Sequence, residues 1–374
     1  MSKPGIRIAY IYAGTQNSAG LYMHEILKVF NRCKLSYKAY GSYYYPFDDA
    51  QRVFFKYTDL ARSNKRTKFR PYIRYLELVF ALIRVYVLLL RYRPSIINYS
   101  LNTSYLPEYL FLKLIRRQMS AKLIITCHDV IPFANGHLKT TKENQRREDI
   151  FKFADILLVH NKNSYEDLVQ YYKIPPTKIK SHLFPIMDLH DLPTMPQNRQ
   201  LLKKDIDFLF IGHLRLEKGI GTLLEAWKTF HQSHKDATLY IVGNLPVNSD
   251  LNISDYSGLN ITFILEYVSD IMYINYIRKA ECVVLPYERG TNSGIPSSVL
   301  SLGTQLIVSD IPMFRNNSLI DSTSFFESQN IDSLVCKLGE FYQTMKGEAF
   351  VETRIPSYIK QFQKEVNLFY ENIL

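Results

Sequence analysis

The chain has 374 residues, enough for two domains with cores of their own, and its apolar share of 47% is that of an ordinary globular protein. The net charge is +11, and the four cysteines (Cys33, Cys127, Cys282, Cys336) show neither zinc-ligand spacing nor a disulfide framework, which excludes those two classes and fits a reducing compartment. Charge is uneven: residues 1–190 hold 30 Lys and Arg against 14 Asp and Glu, whereas the rest hold 16 against 21, so the basic character points to an anionic partner of the first half, membrane lipid or nucleic acid.

No signal peptide is expected ahead of the first apolar run, Ile6–Tyr12, and a cytoplasmic location follows. The next segment, Ala13-Gly-Thr-Gln-Asn-Ser-Ala-Gly20, reads as a small, polar loop before a helix over Leu21–Phe30, with Gly14, Thr15, Asn17 and Gly20 as candidate acceptor-side contacts. It lacks the three-glycine dinucleotide fingerprint, and no phosphate-loop motif occurs anywhere.

Residues 62–93 carry nine Lys and Arg (among them Lys65, Arg66, Lys68 and Arg70) with Tyr72, Tyr75, Phe80 and Tyr86 interleaved. The apolar core of this segment, Leu76–Leu90, is too short and too charged to span a bilayer. It reads either as a core helix with a solvated basic lead-in or as a stretch lying on anionic lipid.

Further apolar runs at Ser95–Tyr99, Lys122–Thr126 and Asp155–His160 follow, and Asp207–Ile211, Thr238–Val242, Asn260–Leu265, Glu281–Leu285 and Thr304–Val308 come later. They show little alternation, as strands buried on both faces of a parallel sheet do, and amphipathic helical patterns separate them. This is a doubly wound α/β series. His128-Asp129 at the end of the third run is placed for proton transfer, or else is a turn-capping Asp beside a packed His; His160 ends the next run.

A Pro-rich stretch over 185–204 marks the boundary. Residues 1–190 form a basic first domain, 191–204 a linker, 205–350 a second domain and 351–374 a closing helix that packs back towards the first.

In the second domain, Gly212 ends a strand, and Arg215 and Lys218 precede a helix opening at Gly219, an arrangement that supplies fixed cations and backbone N–H donors for a diphosphate, or else a solvated basic loop. The layout recurs at Pro286-Tyr-Glu-Arg-Gly-Thr-Asn-Ser-Gly-Ile-Pro-Ser-Ser298, where Tyr287, Asn292, Ser293, Gly294, Ile295 and Ser298 either line an anion site or form a plain capped helix.

Phe208-Leu-Phe-Ile-Gly-His-Leu-Arg-Leu-Glu-Lys-Gly219, Leu239-Tyr-Ile-Val-Gly243, Ala280–Pro286 and Gly303–Pro312 resemble the family 4-type glycosyltransferases of the GT-B fold, and His128–Pro132 and Ala154–His160 resemble that family's first domain. The resemblance implies two Rossmann-like domains facing across a cleft. The second would hold a nucleoside-diphosphate sugar through Gly212, His213, Arg215 and Lys218, with Glu266 and Tyr267 near the base. It implies Asp129 or His128 as the catalytic pair and no metal or cofactor beyond the sugar nucleotide. The expected partners are a lipid-linked saccharide acceptor and an anionic membrane surface, with no nucleic acid; the implied setting is surface polysaccharide or glycolipid synthesis at the inner face of the cell membrane. Two departures stand out: His213 replaces the family's usual arginine, with Arg215 as its substitute, and Gly290 and Ser298 stand where the family places a glutamate pair, as in a Ser-Gly variant. An epimerase or phosphorylase on the same fold, and an inactive binding relative, are the rival readings.

Overall fold

In the computed structural model the described residues are 6–14, 17–58, 69–101, 103–128, 130–131, 142–187, 189, 192, 202–245, 252–290, 293–344 and 353–373. They divide into two compact units, residues 1–185 with 359–374, and residues 186–358.

The first unit is built in the order β1 (Arg7–Tyr12), α1 (Asn17–Arg32), β2 (Ser36–Ser42), β3 (Gln51–Phe54), α2 (Arg70–Tyr92), β4 (Ile96–Leu101), α3 (Leu106–Gln118), β5 (Lys122–Cys127), α4 (Lys142–Phe153), β6 (Ile156–Val159), α5 (Lys162–Gln170) and β7 (Ile179–Ser181). All seven strands are parallel, in the order β3-β2-β1-β4-β5-β6-β7. Strand order reverses between β1 and β4, and crevices at the carboxyl ends of such switch points are where open α/β sheets bind ligands.

Right-handed crossovers put α1 on one face of this sheet and α2 to α5 on the other. Ala9, Ile11, Ile97, Tyr99, Leu123 and Ile125 point into the core under α2 and α3. On the opposite face, Tyr10 meets Phe30 of α1 at 6.5 Å between ring centroids, and Phe30 meets Tyr370 at 4.7 Å. Tyr370 belongs to α11 (Ile355–Glu371), whose residues from Ile359 onward are part of this unit.

The second unit contains β8 (Ile206–Ile211), α6 (Ile220–Ser233), β9 (Leu239–Val242), β10 (Ile261–Ile264), α7 (Asp270–Lys279), β11 (Ala280–Leu285), α8 (Ile295–Ser301), β12 (Gln305–Ser309), α9 (Pro312–Arg315), β13 (Phe325–Phe326) and α10 (Ile331–Thr344). Its sheet is also fully parallel, in the order β10-β9-β8-β11-β12-β13, and its switch point lies between β8 and β11. Helix α6 buries Leu223, Leu224, Trp227 and Phe230. Trp227 and Phe230 close edge-on around Phe208 of β8, at 5.7 and 5.6 Å. Each such side chain contributes about 1.5–3 kcal/mol by leaving water, which fixes the helix, and hence the loop before it, on the sheet.

The buried apolar runs became strands within one or two residues of their expected ends. Four strands were not anticipated. β2 is Ser36-Tyr-Lys-Ala-Tyr-Gly-Ser, too polar to read as a doubly buried run; β3 is only four residues long, and β7 and β13 only three and two. The thiols of Cys127 and Cys282 are buried, and Cys33 and Cys336 are exposed.

Candidate active site

At the switch point of the second unit, three glycines with positive φ bring the loops together. Gly212 (φ 140°) ends β8, Gly243 (φ 152°) ends β9, and Gly219 (φ 66°) caps α6. A Cβ on Gly243 would lie 1.7 Å from the carbonyl oxygen of Gly212, and one on Gly219 would lie 1.8 Å from that of Pro286. Side chains are therefore excluded sterically as well as by backbone conformation. The loop after β11 is thus pressed against the loop after β8, and Glu288 N–H donates to the Glu217 carbonyl at 3.0 Å.

This packing carries Lys218 onto Tyr287. The ammonium lies 3.7 Å from the centroid of the tyrosine ring, a cation–π contact. The Tyr287 ring is fully buried, packs 5.3 Å from Phe314, and has its hydroxyl pKa raised by that burial. Tyr287, expected as a donor contact, is buried, and its ring lies under the Lys218 ammonium.

The rest of the basic loop is more open. Arg215 is exposed and its guanidinium lies 3.7 Å from the Glu217 carboxylate, an ion pair of little net strength. His213 is also exposed; partial desolvation, then the charges of Arg215 and Lys218, lower its pKa, so it favours the neutral imidazole.

The amino end of α8 sits over Gly212, with Ile295 Cδ1 3.3 Å from where a Gly212 Cβ would be. Ser293 Oγ accepts from Ile295 N–H at 3.4 Å. Ser298, read either as part of an anion site or of a plain capped helix, is buried and donates to the Gly294 carbonyl at 3.1 Å, as a Ser one turn into a helix does. Asn292 lies outside the described residues. Glu266 and Tyr267 are exposed beyond β10, which β9 separates from β8.

In the first unit, Gly14 follows β1. Thr15 lies outside the described residues, as does the side chain of Asn17. Gly20 was expected in the loop; it lies instead inside α1, which starts at Asn17, and a Cβ there would sit 3.6 Å from Tyr45.

His128 follows β5, and its Nε2 lies 2.6 Å from Ser100 Oγ on β4. Asp129 lies outside the described residues. The carboxyl ends of the neighbouring strands add two more histidines, His160 after β6 and His182 after β7. All three gather round the buried ring of Tyr22 on α1: His128 and His160 are each 4.9 Å from it and His182 is 6.4 Å away. His182 Nδ1–H donates to the Leu183 carbonyl at 2.7 Å, so its Nε2 is the acceptor for Tyr22 O–H at 3.3 Å. Burial lowers the His182 pKa to about 4, against smaller opposing effects of the Leu183 carbonyl and Glu365. Burial, then His182 and His128, hold His160 well below the usual range. His160 Nδ1 lies 3.5 Å from the His182 carbonyl, while its buried Nε2 has no hydrogen-bond partner among the described residues. Sequence reasoning missed His182, Tyr22 and Ser100: the signal lay in β7, a three-residue strand with a basic centre. Among the described residues no group of three His, Cys, Asp or Glu side chains is placed to hold a metal ion.

Residues 193–344 match the model of the family described as Glycosyl transferases group 1. An uncharacterized glycosyltransferase of Methanocaldococcus jannaschii is 22% identical over 311 residues, covering 76% of this chain and 71% of that one. Among solved structures, a glycosyltransferase from Rickettsia africae superposes with a TM-score of 0.61 at 14% identity, over 99% of this chain and 94% of the other. A protein from Anabaena, solved in complex with UDP and glucose, gives 0.63 at 12% identity, over 97% of each chain. The two parallel sheets with their interleaved helices are a GT-B fold.

Proposed function

With residues 193–344 a glycosyl transferases group 1 domain on a GT-B fold, we propose that the chain moves a sugar from a nucleoside-diphosphate sugar to a saccharide acceptor. The observation that carries this reading is the meeting of the two loops at the β8/β11 switch point, which seats the Lys218 ammonium on the Tyr287 ring. A leaving diphosphate needs positive charge held in place before it departs, and a lysine positioned by a buried aromatic, beside the first turn of α6, supplies it without reorganisation. Arg215 and Ser293 are the further donors in reach of that role. The loss of the family's arginine at His213 leaves Lys218 as the principal cation.

The first unit presents the acceptor at the β1/β4 switch point. If configuration inverts, Asp129 takes the proton of the acceptor hydroxyl; if it is retained, His128, braced by Ser100, orients the sugar. The basic first half supports an acceptor carried on lipid at the cytoplasmic face of a membrane, as in surface polysaccharide or glycolipid synthesis. The transfer is proposed to be metal-independent and of the hexosyl type. The group 1 match favours transfer over epimerisation or phosphorolysis on the same fold.

The test is calorimetry against UDP-, GDP-, ADP-, CDP- and dTDP-linked sugars, followed by release of the nucleoside diphosphate with and without acceptor. One donor is expected to bind, to lose affinity in Lys218→Ala, and to release its diphosphate only when acceptor is supplied. Absence of binding to every donor rejects the reading.

A further inference from the structure

Helix α2 is apolar nearly all round. Leu78, Ala81, Leu82, Val85 and Leu89 face the core. On the other side a second stripe, Leu76, Phe80, Ile83 and Val87, repeats every three or four residues and is exposed, Phe80 to 68%. A helix with two apolar faces is either buried on both sides or bathed in something other than water. Its neighbour α3 repeats the arrangement: Phe111, Leu112 and Ile115 pack into the same core, while Leu110 (53% exposed) and Leu114 face outward. The two helices lie side by side on one face of the sheet, so their outward stripes share one side of the unit. Monomeric proteins seldom leave such an expanse to water.

The charges on these helices select the occupant. Arg84 and Arg91 of α2 and Lys113 and Arg117 of α3 are exposed. Each helix has one carboxylate, and both are turned to the protein. Glu77 accepts from Tyr57 N–H and from the Thr58 hydroxyl. Glu108 is buried and accepts from Tyr99 O–H at 2.7 Å. A second copy of the chain seated on this face would bring arginines and lysines against one another with no acid from either helix to neutralise them. An anionic lipid surface satisfies both features: its headgroups take the cations and its acyl boundary takes the leucines and phenylalanine. No helix among the described residues is long and apolar enough to cross a bilayer, so the face lies on the membrane rather than through it.

We propose that the outward faces of α2 and α3 form a docking surface that sinks its apolar stripe into the headgroup–acyl boundary of an anionic membrane. This deepens the reading that the acceptor is lipid-borne, and it assigns the contact to apolar insertion on two helices. The basic lead-in that the sequence singled out, with Lys65, Arg66 and Lys68, lies outside the described residues.

The experiment is co-sedimentation of the full chain with vesicles of phosphatidylcholine alone or mixed with phosphatidylglycerol, at low and high salt. The wild type is expected to sediment with the anionic vesicles and to remain partly bound at high salt. The double variant Phe80→Glu/Ile83→Glu should lose binding at least tenfold, with its thermal transition unchanged because both side chains are exposed. The variant Arg84→Ala/Lys113→Ala/Arg117→Ala should lose roughly fivefold per charge, on anionic vesicles only. Equal binding by Phe80→Glu/Ile83→Glu overturns the proposal, as does a wild-type dimer in sedimentation velocity that this variant dissociates while vesicles bind neither. Donor affinity of the same samples separates the two readings. If donor binds and vesicles do not, only the docking face falls; if vesicles bind and no donor does, the face stands and the transferase reading falls.

Discussion

The ammonium of Lys218 rests 3.7 Å from the centroid of the Tyr287 ring, so a residue of the β8–α6 loop is held by a residue of the β11–α8 loop. Lys218→Ala removes the charge proposed to receive the departing diphosphate. It should cut turnover roughly a hundredfold or more while leaving the melting temperature within a degree or two, since the side chain is only half-buried. Tyr287→Leu keeps the charge but takes away its seat. It should weaken donor binding by a smaller factor, the cation–π contact being about 1–2 kcal/mol when desolvated. Steady-state kinetics and calorimetry on the pair decide it; near-normal turnover in Lys218→Ala would remove the lysine from the diphosphate site.

Glycines in this region divide sharply. Gly219→Ala meets both a left-handed backbone and the Pro286 carbonyl oxygen 1.8 Å away, and should cost about 2 kcal/mol or more. Gly221, two residues on, is helical and exposed, with nothing within 4 Å of an added Cβ, so Gly221→Ala should stabilise by about 0.5–1 kcal/mol. Denaturant melts of the two variants should move in opposite directions. A stable Gly219→Ala would show that the two loops are not pressed together.

Much of this was legible in the chain. β8, Gly212 and the lysine before Gly219 stand out because an apolar run stops at a glycine and a helical period starts at the next. What could not be read was partnership across sequence: Lys218 and Tyr287 stand 69 positions apart, and only the sheet order places β11 beside β8. The same holds for the first unit. His128 and His160 follow the apolar runs of β5 and β6 and were visible, whereas His182 follows three residues of β7, too few and too polar to stand out. Helix α2 was read as either a core helix or a lipid-facing one; one of its faces is buried in the core, and the other carries the exposed apolar stripe on which the docking proposal rests.

The histidine cluster sets a pH dependence. His182 titrates at about 4 in the fold, below the ordinary value near 6.5, so the unfolded chain binds the proton more tightly. Its contribution is therefore complete above pH 6.5 and is lost as pH falls from there through 4. The shift corresponds to about 3 kcal/mol for this one buried residue, and His160, displaced in the same direction, adds to the slope. Chemical denaturation from pH 7.5 down to 4 should show stability falling steadily, and His182→Gln should flatten part of that fall. A wild-type profile level over this range would mean that the imidazoles are charged in the fold.

Tyr370 ties the end of α11 to the middle of the first sheet. Its ring is fully buried and stands edge-on to Phe30 at 4.7 Å, while Asn98 Nδ2 donates to its hydroxyl. Asn98 in turn accepts from Thr126 Oγ at 2.8 Å, so the amide is satisfied on both sides. Tyr370→Ala leaves a cavity against Phe30 and should cost about 3–5 kcal/mol. Tyr370→Phe fills the same space but strands the Asn98 amide in the core, for a loss of about 1–3 kcal/mol. Adding Asn98→Leu to Tyr370→Phe replaces both partners with apolar groups and should recover part of that loss, because the cost lies in the unmade bond rather than in the hydroxyl itself. Denaturant titration of the three variants tests the order; a Tyr370→Phe protein as stable as wild type would show that water reaches Asn98 and that the end of α11 is not sealed against the sheet.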